Sequence, residues 1–268
     1  MNPHRKRWVT GVIAVPILFA VIAYGSELWF ALLILVAALL GTAEYNRMVF
    51  GPGLKREKCE TLGGALLILL AAGLGNTALM TAFLTFSVLA VLMLNLLRSG
   101  DEDLGIAVVG KVILGIFYIP LLMSHFILIR QTPAGALWIF FILVLAFGGD
   151  IAAYYVGRGL GKRKLLPKVS PGKTVEGTIG LFAGSVAGGL LFSHFFLPAL
   201  AATHVVALGL VGGIAGQLGD LAESALKRAA GVKDSGTLLP GHGGILDRLD
   251  CLMFITPFVY YYRVYIVQ

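Results

Sequence analysis

Four short stretches carry side chains that can do chemistry, each set in a chain of Leu, Ala, Val, Ile and Phe. Residues 233–250, KDSGTLLPGHGGILDRLD, hold Lys233, Asp234, His242, Asp247, Arg248 and Asp250 together with four glycines. Residues 216–228, GQLGDLAESALKR, place Gln217, Asp220, Glu223 or Ser224, and Lys227 at helical i, i+3, i+4, i+7 spacing, one polar stripe among apolar faces. In GGDIAAYYVGR, residues 148–158, Asp150, Tyr154 and Arg158 are four apart and share a face. Residues 170–177, SPGKTVEG, supply Lys173 and Thr174 just before an apolar run.

Carboxylates converging from several helices repel one another when ionised, and a bound divalent cation resolves the repulsion. Carboxylates without His or Cys suit a hard ion such as Mg²⁺. The PGHGG segment offers unhindered backbone amides to an anion, and a helix N-terminus after SPGKTVEG adds partial positive charge. Lys173, Lys227, Arg228, Lys233 and Arg248 add cations. Metal carboxylates, cations and glycine-rich loops together point to a phosphate-bearing substrate. Simpler roles stand beside this one. Asp150 can partner a snorkelling Arg158, Glu223–Lys227 can belong to a structural salt-bridge ladder, and His242 can bond its own loop. Asp220 has no basic residue three or four positions away to absorb it in the same way. The G-x-x-x-x-G-K-[ST] spacing of a nucleotide-binding loop is missing, and so are a nucleophilic triad, an H-E-x-x-H pattern and any nucleic-acid motif.

The elements that must carry these groups are membrane helices. The chain has 268 residues, 58% hydrophobic and 13% charged, with mean hydropathy +0.89. A soluble domain carries about 25% charged residues. A crossing needs roughly 20 apolar residues, and nine segments are candidates: 9–24, 28–46, 61–74, 78–97, 105–129, 135–157, 177–197, 203–229 and 249–266, the first and third short enough to be tilted or re-entrant. With the N-terminus in the cytoplasm, nineteen Lys and Arg fall on the cytoplasmic side and only Arg130 and Arg263 outside. The net charge of +7 therefore reads as basic cytoplasmic loops, not nucleic-acid binding. Arg5, Lys6 and Arg7 precede the first apolar run, but no A-x-A site follows closely, so an uncleaved first span is expected. Cys59 and Cys251 form no metal or redox spacing. The expected fold is all-α, a polytopic membrane helix bundle of about nine transmembrane helices with a cytoplasmic N-terminus. Residues 1–130 would form about five spans, and 131–268 a catalytic region with cytoplasmic loops 158–176 and 230–248.

Residues 224–250 read SALKRAAGVKDSGTLLPGHGGILDRLD. They resemble the C-terminal signature of the phosphatidate cytidylyltransferases, or CDP-diacylglycerol synthases: S-x-[apolar]-K-R, four residues, K-D, a small residue, P-x-H-G-G, D-R-x-D. Ser224, Lys227, Arg228, Lys233, Asp234, Gly236, Pro240, His242, Gly243, Gly244, Asp247, Arg248 and Asp250 meet every fixed position. SPGKTVEG likewise resembles the family's S-P-x-K-T-x-E-G. The likeness is specific from about Asp150 to Asp250; the N-terminal half carries no such signature.

The resemblance implies an enzyme of the inner membrane, active on the cytoplasmic side, that joins CTP to phosphatidate. The products are CDP-diacylglycerol and pyrophosphate, the first committed step toward phospholipid head groups. It also implies a homodimer and Mg²⁺, with a second cation in a two-metal centre. On that analogy Asp220 and Asp247, with Glu223, are metal ligands, and Ser224, Lys227 and Asp250 line the same catalytic site. Lys173, Thr174, Arg228, Lys233, His242, Gly243, Gly244, Arg248 and Asp150 are the expected substrate contacts. The phosphatidate phosphate is already an anionic nucleophile, so no strong general base is needed. A secondary transporter also carries midplane carboxylates and glycine-broken helices, but here the polar groups gather toward one face. The D-G-x-x-A-R core of a CDP-alcohol phosphotransferase is missing.

Overall fold

The computed structural model describes residues 3–99, 105–238 and 243–267. Among the described residues it is almost wholly helical, and six helices there are long and apolar enough to cross a membrane. They expose large apolar side chains, such as Phe86, Leu97, Ile106, Phe147 and Leu191, on a scale that water-soluble surfaces rarely carry. The chain divides into two compact units, Met1–Gln131 with Asp234–Leu246, and Thr132–Lys233 with Asp247–Gln268.

The first unit holds α1 (Pro3–Tyr24), α2 (Glu27–Phe50), α3 (Lys55–Gly73), α4 (Thr77–Ser99), α5 (Ile106–Ile116) and α6 (Leu122–Arg130). Ser26 caps α2 by accepting from the Trp29 amide at 3.4 Å, and Asn76 caps α4 through the Leu79 amide at 2.8 Å. Between α5 and α6 runs a π-helical segment, Phe117–Leu121, that contains Pro120. Proline has no N–H to give the regular ladder, and a π segment absorbs that break without ending the span. The core of the unit is Phe30, Ile34, Ala38, Tyr45, Ile68, Ile116, Ile119 and Met123. The Tyr45 hydroxyl donates to the Lys111 carbonyl at 2.7 Å, which ties α2 to α5.

The second unit holds α7 (Gly135–Leu160), an antiparallel hairpin of β1 (Lys164–Leu166) and β2 (Ser170–Thr174), α8 (Val175–Phe196), α9 (Ala202–Ala229) and α10 (Leu246–Tyr262), whose first residue is in the other unit. The expected loop 158–176 is thus partly regular: α7 continues to Leu160 and the hairpin fills most of the remainder. Small residues set the α7–α8 approach. A Cβ on Gly180 would lie 2.7 Å from Val156 Cβ, a Cβ on Gly188 would lie 3.2 Å from Val144 Cγ1, and one on Gly184 would overlap Ala152. Glycines at four-residue intervals let two membrane helices close on each other when no hydrophobic drive separates protein from lipid. The Ser185 hydroxyl then reaches the Leu145 carbonyl at 2.8 Å across the same seam.

Candidate active site

The polar groups of the second unit collect at the C-terminal halves of α7 and α9, on β2, and in the first turn of α10. The regular period of α9 puts Gln217, Asp220, Ser224 and Lys227 on one side. The Lys227 ammonium sits between two carboxylates, the wholly buried Glu223 one turn earlier and Asp247, whose Oδ1 is 2.6 Å away. Its position in the last turn of α9, and that of Asp247 in the first turn of α10, match the helix dipoles. Asp220 faces a different lysine: its Oδ2 lies 2.5 Å from Lys173 Nζ, and its Oδ1 accepts from the Ser224 hydroxyl at 3.3 Å. Asp250 accepts from the Cys251 amide at 2.8 Å. Asp220 is close enough to act electrostatically on both Asp150 and Asp250, and Lys173 offsets part of that repulsion.

Beside Asp220 is an open cleft of about 320 Å³, lined by Asp150, Tyr154 and Arg158 of α7, Lys173 and Thr174 of β2, Thr178 of α8, and Gln217 of α9. Thr178 donates to Gln217 Oε1 at 3.4 Å, while the buried Gln217 Nε2 has no partner among the described residues. Arg158 turns to Tyr154 and not to Asp150: Nη1 donates to the phenol oxygen at 2.8 Å, with the guanidinium 6.0 Å from the ring centre.

SPGKTVEG folds as a delivery device with one chemical residue. Ser170 pairs across the hairpin with Leu166, and the buried Thr174 caps α8 by accepting from the Gly177 amide at 3.1 Å. Glu176 accepts from the amides of Lys162 and Arg163 at 3.0 and 3.2 Å, which closes the hairpin base. Lys173 is what remains, held over Asp220. Elsewhere, Arg228 donates to the Val232 carbonyl at 3.3 Å beyond the end of α9, and Lys233 and Arg248 are exposed. His242 lies outside the described residues. Gly243 takes φ +83°, a conformation open to glycine. Gly244 is in the first unit, packed against Ser235 and a carboxylate that sequence reasoning passed over, that of Glu44. The available signal was an acidic residue inside an apolar span, the same signal that singled out Asp150 and Asp220.

Five carboxylates, on Asp150, Asp220, Glu223, Asp247 and Asp250, are the oxygen donors open to a hard cation. Among the described residues they do not form a ready cage of three; two lysine ammoniums occupy the positions facing Asp220 and Asp247. The donor chemistry fits Mg²⁺, with the lysines as competitors for the same oxygens.

The family model and the curated relatives agree on what the chain is similar to. The model of the cytidylyltransferase family matches residues 5–266. A phosphatidate cytidylyltransferase of Bacillus subtilis is 36% identical, over 97% of this chain and 98% of that protein. One from Synechocystis is 33% identical, over 97% and 96%. One from Brucella suis reaches 46% identity over 54% of each chain.

Proposed function

The chain belongs to the cytidylyltransferase family, and we propose that it transfers CMP from CTP to phosphatidate, giving CDP-diacylglycerol and pyrophosphate. The observation that carries this reading is the pairing of Lys173 with Asp220 beside a cleft of about 320 Å³. It puts a cation and a hard-ion ligand at one opening. A phosphatidate phosphate oxygen attacks the α-phosphorus of CTP; the new P–O bond forms as the bond to the β-phosphate bridging oxygen breaks, and pyrophosphate leaves. The obstacle is the approach of two polyanions, so positioning and charge neutralisation are the work to be done.

Lys173 and Lys227 turn from Asp220 and Asp247 toward the incoming phosphates, which frees those carboxylates. Mg²⁺ on Asp220 and Asp247, with Glu223 beside them and a second cation where the carboxylate count allows, would supply positive charge to the triphosphate. Ser224 holds Asp220 in place, and Asp250 adds to the field that draws the cations in. Purified protein in detergent micelles with labelled CTP, phosphatidate and Mg²⁺ is expected to give a lipid-extractable CDP product, lost on chelation and restored by added Mg²⁺. Inert, well-folded protein under those conditions would exclude the transferase reading.

We also infer nine crossings, with α5 and α6 as one, and the site on the cytoplasmic side of the inner membrane. The bias of nineteen basic residues against two supports this side. With Cys59 and Cys251 replaced by Ser, a membrane-impermeant thiol reagent should label Lys168→Cys and spare Ala201→Cys in inside-out vesicles; the reverse pattern would invert the topology.

A further inference from the structure

Glu44 is the least expected charge in the molecule. It sits in α2 with 2% of its surface exposed. Its Oε2 accepts from the Ser235 hydroxyl at 3.0 Å and from the Leu246 amide at 3.0 Å, and its Oε1 accepts from the Ile245 amide at 3.1 Å. Those donors stand at the two ends of one segment, 235–246. Gly236 and Gly244 pack against the same carboxylate so closely that a Cβ on either would overlap it. Leu246 opens α10, and the first amides of a helix have no partner within it. Glu44 accepts from them in place of a local capping side chain, and Asp247 is the next residue along the chain.

We propose that Glu44 is a positioning residue for the transfer reaction: its carboxylate clamps both ends of segment 235–246 and sets the start of α10. This rests on the function proposed above. An acid within an apolar span is costly, so its presence here calls for donors that offset the cost. What an apolar side chain cannot do is accept from a hydroxyl and two amides at once and so hold Ser235 against Ile245 and Leu246. Charge-assisted bonds to backbone amides are strong and directional.

The test uses the full-length protein in micelles, with wild type, Glu44→Gln, Glu44→Asp and Ser235→Ala in parallel. Gln keeps the shape but turns an NH₂ group toward a donor. Expected is a fall in kcat per folded molecule of about 10- to 100-fold, the scale of a small misplacement of reacting groups. Amide exchange at Ile245 and Leu246 should quicken, with exchange in α7 and α8 unchanged. Ser235→Ala releases one end of the clamp and leaves both amide bonds at the other, so it should lose activity, but less than Glu44→Gln. Glu44→Asp, which keeps the charge on a shorter arm, should fall between them, and it carries the same two readouts if the Gln variant does not fold. The proposal is overturned if activity drops only in step with the amount of folded protein, or if kcat and exchange in both Glu44 variants match wild type. Wild type inert toward CTP and phosphatidate would count against the proposed function instead, and the exchange measurement would still decide whether the clamp exists.

Discussion

Asp247→Asn should lower turnover of CTP and phosphatidate on the order of 10³-fold while the protein stays folded, the scale seen when one preorganised electrostatic contact to a transition state is removed. The amide is nearly the same shape but cannot supply the negative charge that holds Lys227 at 2.6 Å or that a hard cation needs. Folding survives because the substitution leaves no buried charge alone: Lys227 keeps Glu223, and Glu223 keeps Lys227. The loss should therefore appear in kcat at saturating substrate and Mg²⁺, with the thermal unfolding midpoint close to wild type. An Asn variant within tenfold of wild type would remove Asp247 from the site. A variant that unfolds in the cold would recast it as a structural anchor.

The α9 stripe was legible because a helix turns a spacing of three and four into a face. Asp220, Ser224 and Lys227 needed nothing else to be placed together. The Lys173–Asp220 pair was not legible at that level. It depends on the register of a short hairpin, on Thr174 choosing to cap α8, and on Glu176 closing the hairpin base. The sequence allowed Arg158 a partner in Asp150, two helical turns away, yet Tyr154 lies one turn away and gives the guanidinium both an oxygen and a ring face. Glu44 is the hardest case. Ser235 is 191 residues further along the chain, and the other two donors are backbone amides. Every residue but proline carries such an amide, so nothing in the sequence marks which ones are spent on a distant carboxylate. The glycines nearby did leave a mark, but in the structure Gly236 and Gly244 make room for Glu44, where the sequence favoured a phosphate.

Lys227→Met should cost both stability and activity, and for separable reasons. Lys227, Glu223 and Asp247 have side chains 13%, 0% and 8% exposed. With the ammonium gone, two buried carboxylates face each other without the cation between them. Breaking a buried pair by removing one partner costs about 3–5 kcal/mol, measurable as a lowered unfolding midpoint in micelles. Adding Glu223→Gln to Lys227→Met neutralises one of the two stranded acids and should recover much of that stability. It should not recover turnover, because the double variant still lacks the cation assigned to the incoming phosphates. Glu223→Gln alone leaves Lys227 bonded to Asp247 and should fold with a modest loss of activity. If the double variant regained turnover along with stability, Lys227 would be a counter-ion for the fold and nothing more. The charge that meets the triphosphate would then have to come from Lys173, the lysine that a hairpin, and not a membrane helix, brings to the cleft.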